Sequence, residues 1–476
     1  MLRHVSSYMI ANLVAAIFGF ALVVTFTRIL SPAEYGIYVV GIGFSALISF
    51  VLFSWIIVSL LRFSSEGDDV DMRFTALVAF VVVAVLGPIA FGAVFALSEG
   101  AQDYLVPALC VAIGVGLFEF TLEIFRARQR TGLYAVSMIC RSALAFCISC
   151  LLVLLFDLGG QGLLFGVAGG YAVTILIFMP KIWNRPVHKF DPEILRTMLK
   201  FGLPMTLSGA AFTLHAFVDR LVIVNFLGEA SAGVYGASAD FVRQVIQMLG
   251  VAVGSAIVPV AIRLYAQEDR QATNEHLIKS FEILLALILP AAVGMALTAD
   301  RLAALVLGEA FREAASILIP VLVFALMFRS ISFQYIHVSF QIAKKPFLMG
   351  FQGLFILIAN VIGMIVLVPL FGLMGAAFSV VIAEICGVIF GFVVSRRAYP
   401  MPLKVLPVVK VCSATAFMAI LVILSLRALN LDGITGIAVP VLTGVIAYSV
   451  AAFAVNIADI RTVLSQRLLG PRSENA

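Results

Sequence analysis

Tyr8-Met9-Ile10-Ala11-Asn12-Leu13-Val14-Ala15-Ala16-Ile17-Phe18-Gly19-Phe20-Ala21-Leu22-Val23-Val24-Thr25-Phe26-Thr27 runs without a charge until Arg28. A helix rises 1.5 Å per residue, so about 20 such residues cross a hydrocarbon layer roughly 30 Å thick. The pattern recurs along the chain. Counting 8–27 as the first, the spans are 36–61, 74–97, 104–125, 133–156, 161–180, 201–227, 235–262, 280–299, 315–340, 349–369, 372–394, 405–426 and 435–457, fourteen in all. Long continuous apolar runs exclude membrane barrel strands, which alternate. The first run is also too long for a cleaved signal peptide, and Arg28-Ile29-Leu30-Ser31-Pro32 is no small-residue cleavage site. The expected fold is an all-α polytopic membrane protein.

Composition agrees: 62% of the 476 residues are hydrophobic and 12% charged, with a mean hydropathy of +1.12. A soluble domain of this length needs far more polar surface. With the N-terminus in the cytoplasm, 23 of the Lys and Arg residues between spans fall inside and four outside: Arg28, Arg301, Arg312 and Arg427. That asymmetry places both termini in the cytoplasm. The net charge of +5 therefore reads as topology, and no nucleic-acid partner is expected.

The chain repeats weakly at a spacing of 197 residues. Leu30-Ser31-Pro32-Ala33-Glu34-Tyr35-Gly36-Ile37-Tyr38 follows span one, and Leu227-Gly228-Glu229-Ala230-Ser231-Ala232-Gly233-Val234-Tyr235 follows span seven. Gly159-Gly160-Gln161-Gly162 and Gly372-Leu373-Met374-Gly375 form a second echo. Both fall at odd-to-even junctions, six spans apart. This spacing predicts six-helix bundles over 1–197 and 198–400 around a central cavity, with two additional helices and a tail over 401–476. Such repeats suit alternating access without naming a cargo.

Ionised groups within hydrocarbon need a partner or a water-filled cavity. Span seven carries His215, Asp219 and Arg220; span eight carries Asp240, Arg243, Gln244 and Gln247. Ionic clasps between helices and a cavity lining both account for these two groups. Arg141 and Arg329 lie deeper, with no acid one turn away, and a guanidinium fork suits phosphate oxygens. Arg141, Arg220, Arg243 and Arg329 are the candidate cargo-binding residues. His215, Asp219, Asp240, His337 and Glu384 are candidate cavity or coupling groups. For Arg141 and Arg329, pairing with Glu119, Glu123, Glu282 or Glu384 is the structural alternative.

No motif for chemistry competes with transport. The chain has no phosphate-binding Gly-x-x-x-x-Gly-Lys-Ser/Thr loop, no His-Glu-x-x-His pair and no Gly-x-Ser-x-Gly turn. It is not expected to be an enzyme. Cys147 and Cys150 read as small buried hydrophobes rather than a metal site. The acidic run Glu66-Gly67-Asp68-Asp69-Val70-Asp71 reads as a solvated loop.

The stretch from Thr25 to Tyr38, the turn Leu227–Tyr235 and the run Phe371-Gly372-Leu373-Met374-Gly375-Ala376-Ala377 resemble bacterial polysaccharide-export flippases. These belong to the multidrug/oligosaccharidyl-lipid/polysaccharide exporter superfamily. The resemblance implies an inner-membrane protein that moves polyprenyl-diphosphate-linked oligosaccharides to the periplasmic leaflet for O-antigen, capsule or exopolysaccharide. It further implies ion coupling by protons or sodium without a bound cofactor, and partnership with membrane lipids, a polysaccharide polymerase and glycosyltransferases. Three readings compete: a lipid-linked peptidoglycan-precursor flippase, a multidrug or organic-cation exporter, and a non-transporting scaffold for glycan synthesis.

Overall fold

The computed structural model describes residues 2–63, 72–95, 102–182, 189–428 and 433–461. The acidic run 66–71, Arg185, Arg467 and Arg472 lie outside the described residues. The helices are α1 (Leu2–Ile29), α2 (Pro32–Phe63), α3 (Arg73–Phe95), α4 (Gln102–Ala127), α5 (Thr131–Phe156), α6 (Gly159–Phe178) and α7 (Pro192–Ala266). They continue as α8 (Arg270–Leu297), α9 (Ala299–Val306), α10 (Glu309–Ile331), α11 (His337–Ile342), α12 (Phe347–Ser395), α13 (Val405–Ala428) and α14 (Gly433–Ala454). A π turn over Ser332–Ile336 joins α10 to α11.

Among the described residues, eleven segments are long and apolar enough to cross a membrane, and Arg73–Ile89 is a shorter apolar helix. Two of the eleven, Gly209–Ala266 and Phe347–Ser395, have 58 and 49 residues, more than twice the roughly 20 that one crossing takes. Each breaks once, at Gly228 (φ 83°, ψ 173°) and Gly372 (φ 57°, ψ −135°). A side chain resists such positive φ and glycine does not, so both breaks fall on the turns expected from the repeat. The protein is an all-α polytopic membrane protein with about eleven to fourteen long apolar helices.

The turn between α1 and α2 is set locally. The Ser31 backbone N–H and hydroxyl both donate to Glu34 Oε2, at 2.8 and 2.7 Å, while the Glu34 N–H reaches Ser31 Oγ at 3.3 Å. This is a reciprocal capping box, with Pro32 at the first helical position, where its missing N–H costs nothing. At the far end of α6, the carbonyl of Ile182 accepts from Arg73 at 2.5 Å and from Arg128 at 3.1 Å, and that of Lys181 from Arg130 at 3.4 Å. Cations there offset the negative end of the helix dipole.

Contacts group the chain into Met1–Ala237 and Ser238–Ala476. The boundary expected at 197/198 lies within the first of these units, where the opening of α7 rests on α2. Ser59 Oγ donates to the Met198 carbonyl at 2.9 Å, and Ser54 and Thr206 hydroxyls meet at 3.2 Å.

The first unit also holds a reciprocal contact between the repeated turns. A Cβ at Gly36 would overlap the carbonyl of Glu229, and one at Gly233 would overlap the carbonyl of Pro32. Gly36 and Gly233 are repeat equivalents, as are Pro32 and Glu229. Glycine at both sites lets the two backbones touch.

Candidate functional site

Arg141 sits near the middle of α5, half-buried within the first unit. The neighbouring α6 approaches so closely that a Cβ at Gly170 would meet the backbone of Ala145. One residue on, Tyr171 thereby reaches Arg141. The Arg141 Nη1 donates to the Tyr171 hydroxyl at 3.3 Å and Nη2 to Ser142 Oγ at 3.0 Å. Its Cζ lies 5.2 Å from the ring centre of Tyr171 and 5.9 Å from that of Phe118, within the range of a cation–π contact.

These groups border a cavity of about 280 Å³, whose lining includes Phe18, Tyr38, Ser45, Arg141, Ser142 and Tyr171. Ser45 and Ser142 donate their hydroxyl protons to the carbonyls of Gly41 and Met138, at 2.7 and 3.0 Å. Their oxygens are left as acceptors. The cavity thus combines one fixed positive charge, hydroxyl acceptors and aromatic walls, a set able to hold an anion or a hydroxylated ring.

Arg220 belongs to the same unit but does not line this cavity. It lies beside Gly43 of α2, where an added Cβ would sit 2.9 Å from its Cδ and 3.1 Å from Nη1. Phe217 packs edge-on against Phe44 at 4.7 Å and holds this part of α7 to α2. His215 and Asp219, at 2% and 9% exposure, are buried one turn apart.

The second unit holds the remaining candidates. Arg243 Nη1 meets Asp240 Oδ1 at 3.0 Å within α7, both side chains partly exposed. This is a local pair on one helix. Phe333, on the π turn, lies under the Arg329 guanidinium at 5.6 Å and against the His337 ring at 4.8 Å. His337 and Glu384 are both buried. Gln352 ties α12 to the π turn through Ser332 Oγ at 3.3 Å and donates to the Gly387 carbonyl at 2.9 Å. π turns recur at functional positions in helices.

Two expectations change. Cys147 is exposed and Cys150 partly so, because in a membrane protein a helix's outer face meets lipid rather than a core. Of the acids weighed as arginine partners, Glu123 instead takes Arg126 of its own helix at 2.6 Å, and Glu282 takes the backbone N–H of Ala458 at 3.0 Å. Tyr171, Ser142 and Phe333 escaped the sequence reading. The pair Gly169-Gly170 beside Tyr171 was the available signal, since two small residues mark a close helix approach.

The fold and its buried charges define a polytopic helical membrane protein with ionisable side chains among its apolar helices. Solved structures agree in fold. A lipid II flippase, MurJ, in an inward closed conformation superposes with a TM-score of 0.78 at 16% identity, over 97% of this chain and 99% of that one. An inward-facing multidrug resistance MATE family transporter gives 0.63 at 17%, over 82% of this chain and 93% of its own. The chain belongs to the family described as polysaccharide biosynthesis protein, whose model matches residues 25–316. A curated relative from Haloferax volcanii, named "Probable low-salt glycan biosynthesis flippase Agl15", is 23% identical over 226 residues. That match spans 47% of this chain and 46% of the relative, about half of its length.

Proposed function

We propose that this protein is a flippase for lipid-linked saccharides, carrying polyprenyl-diphosphate-linked oligosaccharide units from the cytoplasmic to the periplasmic leaflet by alternating access. The observation that carries the reading is Arg141, held by Tyr171 and Ser142 at the edge of a cavity inside an apolar bundle. A diphosphate stripped of water in low dielectric is prohibitive without a fixed cation and hydrogen-bond donors. A prenyl tail has the opposite need and stays in lipid. One cation beside hydroxyl acceptors and aromatic faces suits the junction where phosphate meets sugar.

The reading takes all fourteen apolar runs as crossings, both termini as cytoplasmic and the bacterial inner membrane as the site. Arg220, Arg243 and Arg329 are further cargo contacts in it, and His215, Asp219, Asp240, His337 and Glu384 remain candidates for cavity polarity or coupling to a proton or sodium gradient. Membership in the polysaccharide family supports an oligosaccharide cargo. The full-length likeness in fold to a lipid II flippase favours a second reading, a lipid-linked peptidoglycan precursor. Both cargoes present a diphosphate and a sugar, so the basic cavity serves either.

The test is reconstitution of the full-length chain into sealed vesicles with a fluorescent polyprenyl-diphosphate oligosaccharide in one arm and lipid II in another. Movement between leaflets is read by accessibility to a membrane-impermeant quencher. Faster exchange of the oligosaccharide lipid supports the first cargo, and faster exchange of lipid II the second. Exchange of neither lipid, with export of an organic cation instead, would overturn the proposal.

A further inference from the structure

Four charged side chains follow one another inside the first unit, from α4 onto α5: Arg126, Glu123, Glu119 and Arg141. Glu123 is 5% exposed; its Oε1 accepts from Arg126 Nη1 at 2.6 Å, while its Oε2 is buried with no donor on it. Glu119, one turn earlier on the same helix, lies within electrostatic reach of both Arg126 and Arg141 and repels Glu123. The adjacent Phe118 ring is one of the two against the Arg141 guanidinium, with that of Tyr171. Arg141 spends Nη1 and Nη2 on neutral hydroxyls, and its Nε is buried with no acceptor. The row balances two carboxylates against two guanidiniums, but contact pairs only Glu123 with Arg126. Glu119 and Arg141 balance each other across a gap.

Among the described residues the groups bonded to this row are neutral, and the arginines beyond the end of α6 are engaged elsewhere. Tyr134 of α5 accepts from Arg126 Nη2 at 3.2 Å, and Tyr171 of α6 accepts from Arg141. Arg73 of α3 and Arg128 are engaged on the Ile182 carbonyl.

We propose that the Glu119–Glu123 pair is a proton site linked to cargo, taking up a proton from water when an anion in the cavity engages Arg141. The inference rests on the reading of Arg141 as a cargo-binding cation. Its physical basis is charge balance in a poorly solvated space. Once an anion claims the field of Arg141, two carboxylates one turn apart share one guanidinium. Like charges that close do not both stay ionised, and one proton shared by the pair offsets one unit of the negative charge that the anion brings in. Anion binding and proton binding then favour each other, as linkage requires of both. The site adds a coupling group to the first unit, distinct from His215, Asp219, His337 and Glu384.

The experiment is calorimetry on the detergent-solubilised full-length chain with P1,P2-dimethyl diphosphate, a diester whose charge is fixed across the neutral range. Binding enthalpies at one pH, in buffers of different ionisation enthalpy, give the protons taken up per anion bound. The expected result is uptake approaching one proton in the parent, with binding retained but uptake near zero in Glu119→Gln. Binding without uptake in the parent overturns the proton site and leaves the cavity reading standing. Uptake that persists in both Glu119→Gln and Glu123→Gln overturns the assignment to this pair. No binding in the parent overturns the cavity reading and the proton site with it. If the glutamine variants do not fold, infrared difference spectra of the parent decide. A protonated-carboxyl band gained with the diester supports the site, and its absence overturns it.

Discussion

Replacing Gly36 with alanine places a methyl group where the carbonyl of Glu229 now lies. The opposing atom belongs to backbone, so no side chain can rotate away. Recovering van der Waals contact requires the turn after Gly228 to withdraw by more than ~1 Å, and overpacking of this kind costs about 1–3 kcal/mol. Alanine's better helix propensity returns about 1 kcal/mol, leaving a net loss of about 1 kcal/mol and about 2 kcal/mol at most. At about 2 °C per kcal/mol for a unit of this size, the apparent melting temperature should fall by about 2 °C and at most about 4 °C. Gly233→Ala should do the same, because its methyl would meet the Pro32 carbonyl across the same seam. The reciprocity makes a sharper demand on the double variant. Once one methyl has opened the seam, the second enters space already vacated, so the joint loss should fall short of the sum by about 1 kcal/mol. Thermal unfolding of the solubilised chain measures all four proteins, with Gly132→Ala as control, because nothing lies within 4 Å of a Cβ there. A Gly36 variant as stable as the Gly132 control, or strict additivity in the double variant, would refute the reasoning.

Neutralising Arg141 to glutamine should slow leaflet exchange of the glycan lipid by about tenfold, equivalent to losing about 1.4 kcal/mol. Arg62→Gln should stay within about twofold, since Arg62 is exposed and stacks on Phe201 at 4.8 Å; equal rates for both variants at matched abundance would remove Arg141 from cargo binding. Arg243→Gln should leave membrane abundance intact. A partly exposed pair three residues apart on one helix contributes no more than about 1 kcal/mol, so collapse of abundance would contradict the geometry. Ser31→Ala removes the hydroxyl half of the capping box and should lower stability by about 1 kcal/mol, read as a lower melting temperature; no change would mean the turn is held by packing alone.

Much of this architecture is legible in one dimension. Hydrocarbon thickness converts directly into run length, so the apolar stretches mark the crossings without any knowledge of neighbours. The breaks at Gly228 and Gly372 were equally visible, because only the local backbone decides where a positive φ is tolerated. Partner choice is different in kind. Arg141, Arg220, Arg243 and Arg329 look alike as isolated charges in apolar runs. Only packing gives Arg141 a tyrosine and a cavity and lays Arg220 against Gly43, whereas Arg243 pairs locally with Asp240 of its own helix. The turn repeats were readable as repeats, whereas their mutual contact through Gly36 and Gly233 was not. Helix spacing along the chain is periodic and local, but which faces meet depends on close approach between residues far apart in sequence. That pairing is settled by tertiary packing, and it decides whether a buried charge binds cargo, holds a proton or fastens two helices.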